Sequence, residues 1–299
     1  MSFDKIFVLG AGAIGSAYGA LLSRSNNVTL IGRQTHVDAI KKNGLALSGD
    51  ASGKFLVKAD TVIKKIPSET LILLTTKAYD AAGSIRSIKP LLRKDTVILV
   101  LPNGLGIKEV VEEVVEHKAE VIRGLVTSAA EFFEPAKISF WHGETVLEST
   151  QTSKRIARVF GEAELKTMIS NGMQEEIWKK LIVNCVANPL TAILQVRNNE
   201  IMVDSLRSIR HEIIQECIAI GKAEGISLES NLEECVEHKI ARYRNYSSMC
   251  QDLMKHKGTE IEFLNAKIVE LGRKHGISTP VNDILVDLVK FLEVPGNES

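Results

Sequence analysis

The strongest constraint on this fold lies within the first fifteen residues of the chain. Residues 5–9, Lys-Ile-Phe-Val-Leu, form a short apolar run, and Gly10-Ala11-Gly12-Ala13-Ile14-Gly15 follows at once. A small-residue stretch of helical character continues from Ser16 to Arg24. This order sets G-x-G-x-x-G between a strand and a helix, where the pattern has structural meaning. Gly10 permits a tight turn, Gly12 leaves the backbone open to close approach, and Gly15 lets the helix pack tightly on the strand. The helix start offers unpaired N–H groups and a positive dipole end to the pyrophosphate of a dinucleotide. Glycines also gather in strand–helix turns that bind nothing, so the flanking run and helix decide the reading.

The second apolar run, Asn27–Ile31, ends in Gly32-Arg33. A carboxylate there would bind a ribose 2′-hydroxyl and repel a 2′-phosphate, whereas a guanidinium offers that phosphate a fork of donors. Arg33 therefore points to NADP, the plain alternative being a solvated loop arginine. Lys77, in Thr75-Thr76-Lys77 after the run 71–74, is a second cation for the same end of the cofactor.

Strand-like runs recur at 5–9, 27–31, 71–74, 96–101 and 119–123, with helix-like stretches at 14–24, 79–92 and 107–116 among them. The alternation predicts an α/β fold with a Rossmann-type doubly wound parallel sheet. Runs at 138–141 and 144–149 are expected to extend that sheet, followed by a helix near 153–161. From about Gly172 the pattern turns helical, at 174–195, 203–224, 229–242, 246–256, 260–275 and 281–292, with Gly225, Gly258 and Gly276 as stops. The expected division is a dinucleotide-binding domain over 1–168 and an all-helical substrate and dimerisation domain over 169–299.

Lys+Arg and Asp+Glu balance at 37 each, which leaves no field to attract nucleic acid or an anionic membrane. No apolar run reaches bilayer-spanning length and the start lacks a signal-peptide core, so a cytoplasmic location is expected. The four cysteines, Cys185, Cys217, Cys235 and Cys250, form no C-x-x-C pair and no metal spacing with the seven histidines. They read as reduced core residues, and no metal is expected.

In the segment 178–192, Lys180, Asn184 and Asn188 recur every four residues and share one helix face. Their neighbours Leu181, Ile182, Val183, Cys185, Val186 and Ala187 are core-type residues. An ammonium and two amides on such a helix need partners. Either an internal network or a ligand-filled cleft supplies them, and a lysine suits the cleft better. Pro189 is expected to disturb the helix and free carbonyls around 185–188. Asn245 and Ser248, three apart, can line one side of a helix. Thr259 and Glu262 read as a capping box. That places Glu260 in a first helical turn, where its carboxylate suits the dipole whether or not it has another role.

Together these residues resemble the ketopantoate reductase family, within the wider 6-phosphogluconate-dehydrogenase-like group. The markers span almost the whole chain: GAGAIG at 10–15, Arg33, TTKAYD at 75–80, PNGLG at 102–106, WKKLIVNCVANPLTA at 178–192, Asn198, and the run from Asn245 through Ile277. The resemblance implies a Rossmann domain, a helical domain, a substrate cleft between them, and NADPH-dependent reduction of 2-dehydropantoate to (R)-pantoate, a step of pantothenate and coenzyme A biosynthesis. It implies that the glycine turn, Arg33 and Lys77 hold the cofactor, and that Asn103 meets cofactor and substrate. Lys180 would be the general acid, Glu260 its positioning partner, and Asn184, Asn188, Asn198, Asn245 and Ser248 would bind substrate.

The residue types suit that chemistry, since an ammonium can stabilise charge developing on a carbonyl oxygen and then give it a proton. The stretch 127–133 departs from the family's glycine-rich pattern, and its following segment reads Trp141-His-Gly-Glu-Thr145. Both bear on substrate identity. Reduction of another small 2-keto acid and a non-catalytic NADP-binding sensor are the competing readings. The assembly is left open, with a homodimer among the expectations.

Overall fold

The computed structural model describes residues 2–293. The chain divides into two compact units, Met1–Pro102 with Gly106–Met173, and Asn103–Leu105 with Gln174–Ser299.

The first unit opens with β1 (Lys5–Leu9), α1 (Ala13–Leu22), β2 (Val28–Ile31), α2 (Gln34–Asn43), β3 (Leu45–Gly49), β4 (Gly53–Phe55), β5 (Lys58–Asp60) and β6 (Thr70–Leu74). It continues with α3 (Ala81–Ile88), β7 (Val97–Val100), α4 (Ile107–Val115), β8 (Glu120–Val126), β9 (Ala129–Glu134), β10 (Lys137–Trp141), β11 (Thr145–Glu148), α5 (Gln151–Glu162) and β12 (Thr167–Ser170). Eight strands form one sheet in the order β12-β11-β8-β7-β6-β1-β2-β5. Its centre, β8-β7-β6-β1-β2, consists of the five runs expected from the sequence, all parallel. Every residue of β1, β6 and β7 is buried, which is why these strands read as unbroken apolar runs rather than alternating ones. The chain winds outward through β2 on one side of β1 and returns to β6 on the other, so strand order reverses at β1. The carboxyl end of β1 is therefore the switch point where this architecture binds ligands.

Of the two later runs expected to extend this sheet, 144–149 does so and 138–141 does not. β11 joins the main sheet but runs antiparallel to β8, so the sheet is not wholly parallel. Residues 138–141 do not join it at all. β10 instead belongs to a second sheet, β4-β3-β10-β9. A tight hairpin with β9 turns through Ala136 at φ +65° and takes one edge of β10, while β3 takes the other. The inward residues Ile138 and Phe140 then share a core with Tyr18, Leu21 and Leu22 of α1, and the Tyr18 and Phe140 rings meet edge to face at 6.2 Å.

The second unit contains α6 (Met173–Leu194), which begins at the last residue of the first, then α7 (Arg207–Ala223), α8 (Leu232–Arg242), α9 (Ser248–Met254), α10 (Asn265–His275) and α11 (Pro280–Glu293). Among its described residues there is no strand. α6 supplies much of its core, with Trp178, Leu181, Ile182, Cys185, Val186 and Leu190 all buried. The expected helix over 260–275 is two pieces: a short 3-10 turn at Ile261–Phe263 and α10, separated at Leu264 by φ −116° and ψ −104°. Cys185, Cys217 and Cys250 are buried as expected, but Cys235 is exposed on α8 and is not a core residue.

Candidate active site

At Gly10 the backbone takes φ +107°, and an added Cβ would fall 2.5 Å from the Thr76 nitrogen. Only glycine combines that torsion with that approach. The Gly15 Cβ position lies 2.6 Å from the Gly10 carbonyl oxygen and 3.0 Å from Val8 Cγ1, so a side chain there would push α1 off β1. Gly12 differs: a Cβ would meet nothing nearer than the Gly10 oxygen at 4.0 Å. This open space lies at the start of α1, whose first-turn N–H groups have no intrahelical acceptor. Arg33, exposed, begins α2 at the end of β2, and Lys77, half-buried, follows the end of β6. The glycine turn, Arg33 and Lys77 thus stand at the carboxyl ends of three adjacent strands. A cradle for phosphate, with a cation after each flanking strand, fits a dinucleotide.

In the second unit, Lys180 and Asn184 are half-buried on α6, and Asn188 is buried one turn further on. Asn103 groups with this unit, and its Nδ2 donates to Oε2 of the buried Glu260 at 3.3 Å. Two other segments holding predicted residues are tied to α6. Thr191 Oγ1 is hydrogen-bonded to Ser247 Oγ at 2.7 Å, and Asn265 Nδ2 donates to the Cys185 carbonyl at 2.9 Å. Asn198 donates through both N and Nδ2 to the Asn245 carbonyl, leaving its own Oδ1 buried without a partner. Among the described residues, no three His, Cys, Asp or Glu side chains form a group that could hold a metal.

Two local expectations fail, and a third holds only in part. Asn245 and Ser248 do not share a helix, because Asn245 lies in the loop before α9. Ser247 caps that helix by accepting from the Cys250 N–H, and Ser248 is exposed in its first turn. The capping box at Thr259 does not form either. Glu262 pairs with Lys290, while the Thr259 N–H donates to Glu293 and its hydroxyl accepts from the Ile261 N–H. Glu260 consequently precedes a 3-10 turn rather than lying inside a helix. Around Pro189 the helix runs on unbroken, and the one carbonyl the proline deprives of its donor, that of Cys185, accepts from Asn265 Nδ2.

Two residues near these segments were not anticipated. Arg123 is a buried arginine in the apolar strand β8, and it donates to the carbonyls of Val100, Gly124 and Pro102. It therefore fixes the chain immediately before Asn103, and an arginine within Val-Ile-Arg-Gly-Leu-Val was its signal. Buried His36 of α2 accepts from the Ala136 N–H at Nδ1 and lies 2.9 Å from Ser16 Oγ at Nε2, which places the ring proton on Nε2. Burial holds this imidazole at about 4, below its usual 6.5.

A sheet of this order with a glycine turn at its switch point, followed in the chain by a helical unit, defines a two-unit dinucleotide-binding α/β protein. The family described as ketopantoate reductase PanE/ApbA matches residues 6–151, and its C-terminal region matches 172–293. The chain belongs to the ketopantoate reductase family. It is 36% identical over 305 residues to a 2-dehydropantoate 2-reductase of Pyrococcus horikoshii, covering 99% of each chain. It is 33% identical to the corresponding protein of Vibrio cholerae, covering 97% of this chain and 98% of the other. Among solved structures, a PanE/ApbA family ketopantoate reductase from Ralstonia eutropha superposes with a TM-score of 0.90 at 31% identity, over 97% of this chain and 98% of that one. A ternary structure of D-mandelate dehydrogenase with NADH and anilino(oxo)acetate reaches 0.86 at 28% identity, over the same shares.

Proposed function

We propose that this chain is a 2-dehydropantoate 2-reductase that reduces ketopantoate to (R)-pantoate with NADPH. The observation that carries the reading is the full-length similarity to 2-dehydropantoate 2-reductases, in a chain that keeps both the open glycine turn and the lysine–asparagine face of α6. The bound cofactor supplies the hydride. The Gly10–Gly15 turn receives its pyrophosphate, and Arg33 and Lys77 hold the 2′-phosphate. Asn184, Asn188, Asn198, Asn245 and Ser248 bind the keto acid through its hydroxyl and carboxylate groups. Lys180 holds its proton at Nζ beside the ketone oxygen, stabilises the charge that gathers there, and donates that proton. Asn103 holds the Glu260 carboxylate in the structure, and that carboxylate aims the Lys180 ammonium or the substrate.

The likeness to D-mandelate dehydrogenase favours one second reading, reduction of another small 2-keto acid by the same lysine. The chain's own stretch at 127–145 supports keeping it in view. Thr127 and Ser128 hydrogen-bond with Gly143 and Glu144 there, and no side chain fits at Gly143 beside them. A non-catalytic sensor would have no use for Lys180 as a proton donor.

The test follows NADPH absorbance with purified protein, ketopantoate and a panel of 2-keto acids. Oxidation fastest with ketopantoate is expected. Preference for another acid moves the assignment to the second reading, and tight NADPH binding without turnover of any acid overturns both in favour of the sensor.

A cytoplasmic location and a homodimer complete the proposal. Free, buried Cys185 and Cys217 suit a reducing compartment, and exposed Ile284, Leu288 and Phe291 on α11 offer an apolar face. Cell fractionation and sedimentation velocity check these two points.

A further inference from the structure

Pro189 lies four residues beyond Cys185 inside the 22-residue helix α6, and its nitrogen carries no hydrogen. The Cys185 carbonyl therefore loses its ordinary donor, at a residue that is fully buried. Asn265, also fully buried at the start of α10, supplies the replacement by donating through Nδ2 to that carbonyl at 2.9 Å. The same Nδ2 donates to Asn282 Oδ1 at 2.9 Å, and Asn282 Nδ2 donates to Glu216 Oε2 at 2.6 Å. Asn265 spends both donors this way, while its own Oδ1 has no partner. A side chain present only to fill space would avoid that penalty, because a leucine of similar size has no acceptor to strand.

We propose that Asn265 is a positioning residue for the keto-acid site. It stands in for the N–H that Pro189 lacks, fixes the backbone of α6 through the turn 185–189, and so sets the face that carries Lys180, Asn184 and Asn188. This rests on the reading of that face as the keto-acid site. Asn265 touches neither substrate nor cofactor in this role. It acts through the helix.

The test is a double-mutant cycle of Asn265→Leu and Pro189→Ala, assayed well below the melting temperature of every variant. With proline in place, Asn265→Leu is expected to lower kcat/KM for ketopantoate about thirtyfold, as displaced catalytic groups do. Its NADPH Kd, measured without substrate, stays at the wild-type value. With alanine at 189 the backbone N–H returns, and the same Asn265→Leu change costs no more than about threefold, which marks the pair as coupled. Amide exchange across 185–192, read by mass spectrometry, rises in Asn265→Leu and falls back in the double variant. If Asn265→Leu does not fold, Asn265→Ser takes its place in the cycle.

An equal loss in both backgrounds overturns the proposal. So does a lowered melting temperature with kcat/KM unchanged, which would leave Asn265 a purely structural residue. If the wild type does not turn over ketopantoate, the functional reading fails separately. The exchange data then decide the link between Asn265 and Pro189 alone, and unchanged exchange sinks it.

Discussion

Lys180 is a charged residue on a helix that supplies much of the core of the second unit, and that contrast is what singles it out in the sequence. The proposed role asks it both to stabilise charge and to part with a proton. Lys180→Ala is expected to lower kcat by about a thousandfold, within the range for losing a positioned acid. Lys180→Arg keeps the charge but not the labile proton, and is expected to recover little. A steady-state assay showing near-normal turnover in either variant would remove the proton-transfer role. His36 was not legible in this way, because nothing in Gln34–Asn43 reveals that Ser16 and the Ala136 N–H will close around one ring. Its folded-state pKa of about 4 lies below the unfolded 6.5, so the unfolded chain takes the proton first as pH falls. The stability this group protects is complete above pH 6.5 and is lost as pH drops through 4, amounting to on the order of 3 kcal/mol. His36→Gln should flatten that part of the stability profile, measured by urea unfolding at a series of pH values. An unchanged slope would mean that the ring is not kept neutral.

The central strands were readable because burial on both faces turns them into uninterrupted apolar runs, and none of the five was misplaced. The second sheet was not readable. β4 has only one buried residue, β9 has none, and β10 meets β3 across roughly ninety intervening positions that no local pattern records. Helix ends failed for a related reason. Thr259 and Glu262 have the spacing of a capping box, but Lys290 and Glu293 of α11 capture the two groups that would have formed it. The start of α11 shows the same principle in a favourable case, where a carboxylate distant in sequence does the capping. Glu216 of α7 accepts from the Val281 N–H at 2.8 Å, the Asn282 N–H at 2.9 Å and Asn282 Nδ2 at 2.6 Å. Glu216→Ala should destabilise the protein by about 2 to 3 kcal/mol, the scale of hydrogen bonds to a charged group with buried donors left open. Glu216→Gln, which keeps one acceptor, should lie between. A urea midpoint that does not move in Glu216→Ala would show that water replaces the carboxylate at this helix start.

At the scale of the whole molecule, the proposed cofactor residues Gly10–Gly15, Arg33 and Lys77 fall in the first unit, and the proposed acid Lys180 falls in the second. Asn103 belongs with the second unit although the chain on both sides of residues 103–105 belongs to the first, a placement with no signature in composition or periodicity. If binding and chemistry are divided as proposed, mutation can separate them. A ligand that binds only the folded state stabilises it by mass action, about 2.7 kcal/mol when present at a hundred times its Kd. NADPH should therefore raise the melting temperature of the wild type, and should raise that of Lys180→Ala equally although this variant is inactive. Arg33→Ala should lose most of the NADPH shift while keeping whatever shift NADH produces, because only the 2′-phosphate needs the guanidinium. Differential scanning fluorimetry with each nucleotide reads all three outcomes from one titration. Equal losses of the NADPH and NADH shifts in Arg33→Ala would move the phosphate role away from Arg33. Loss of the NADPH shift in Lys180→Ala would show that the lysine contributes to cofactor affinity, and the division of labour between the units would fall with it.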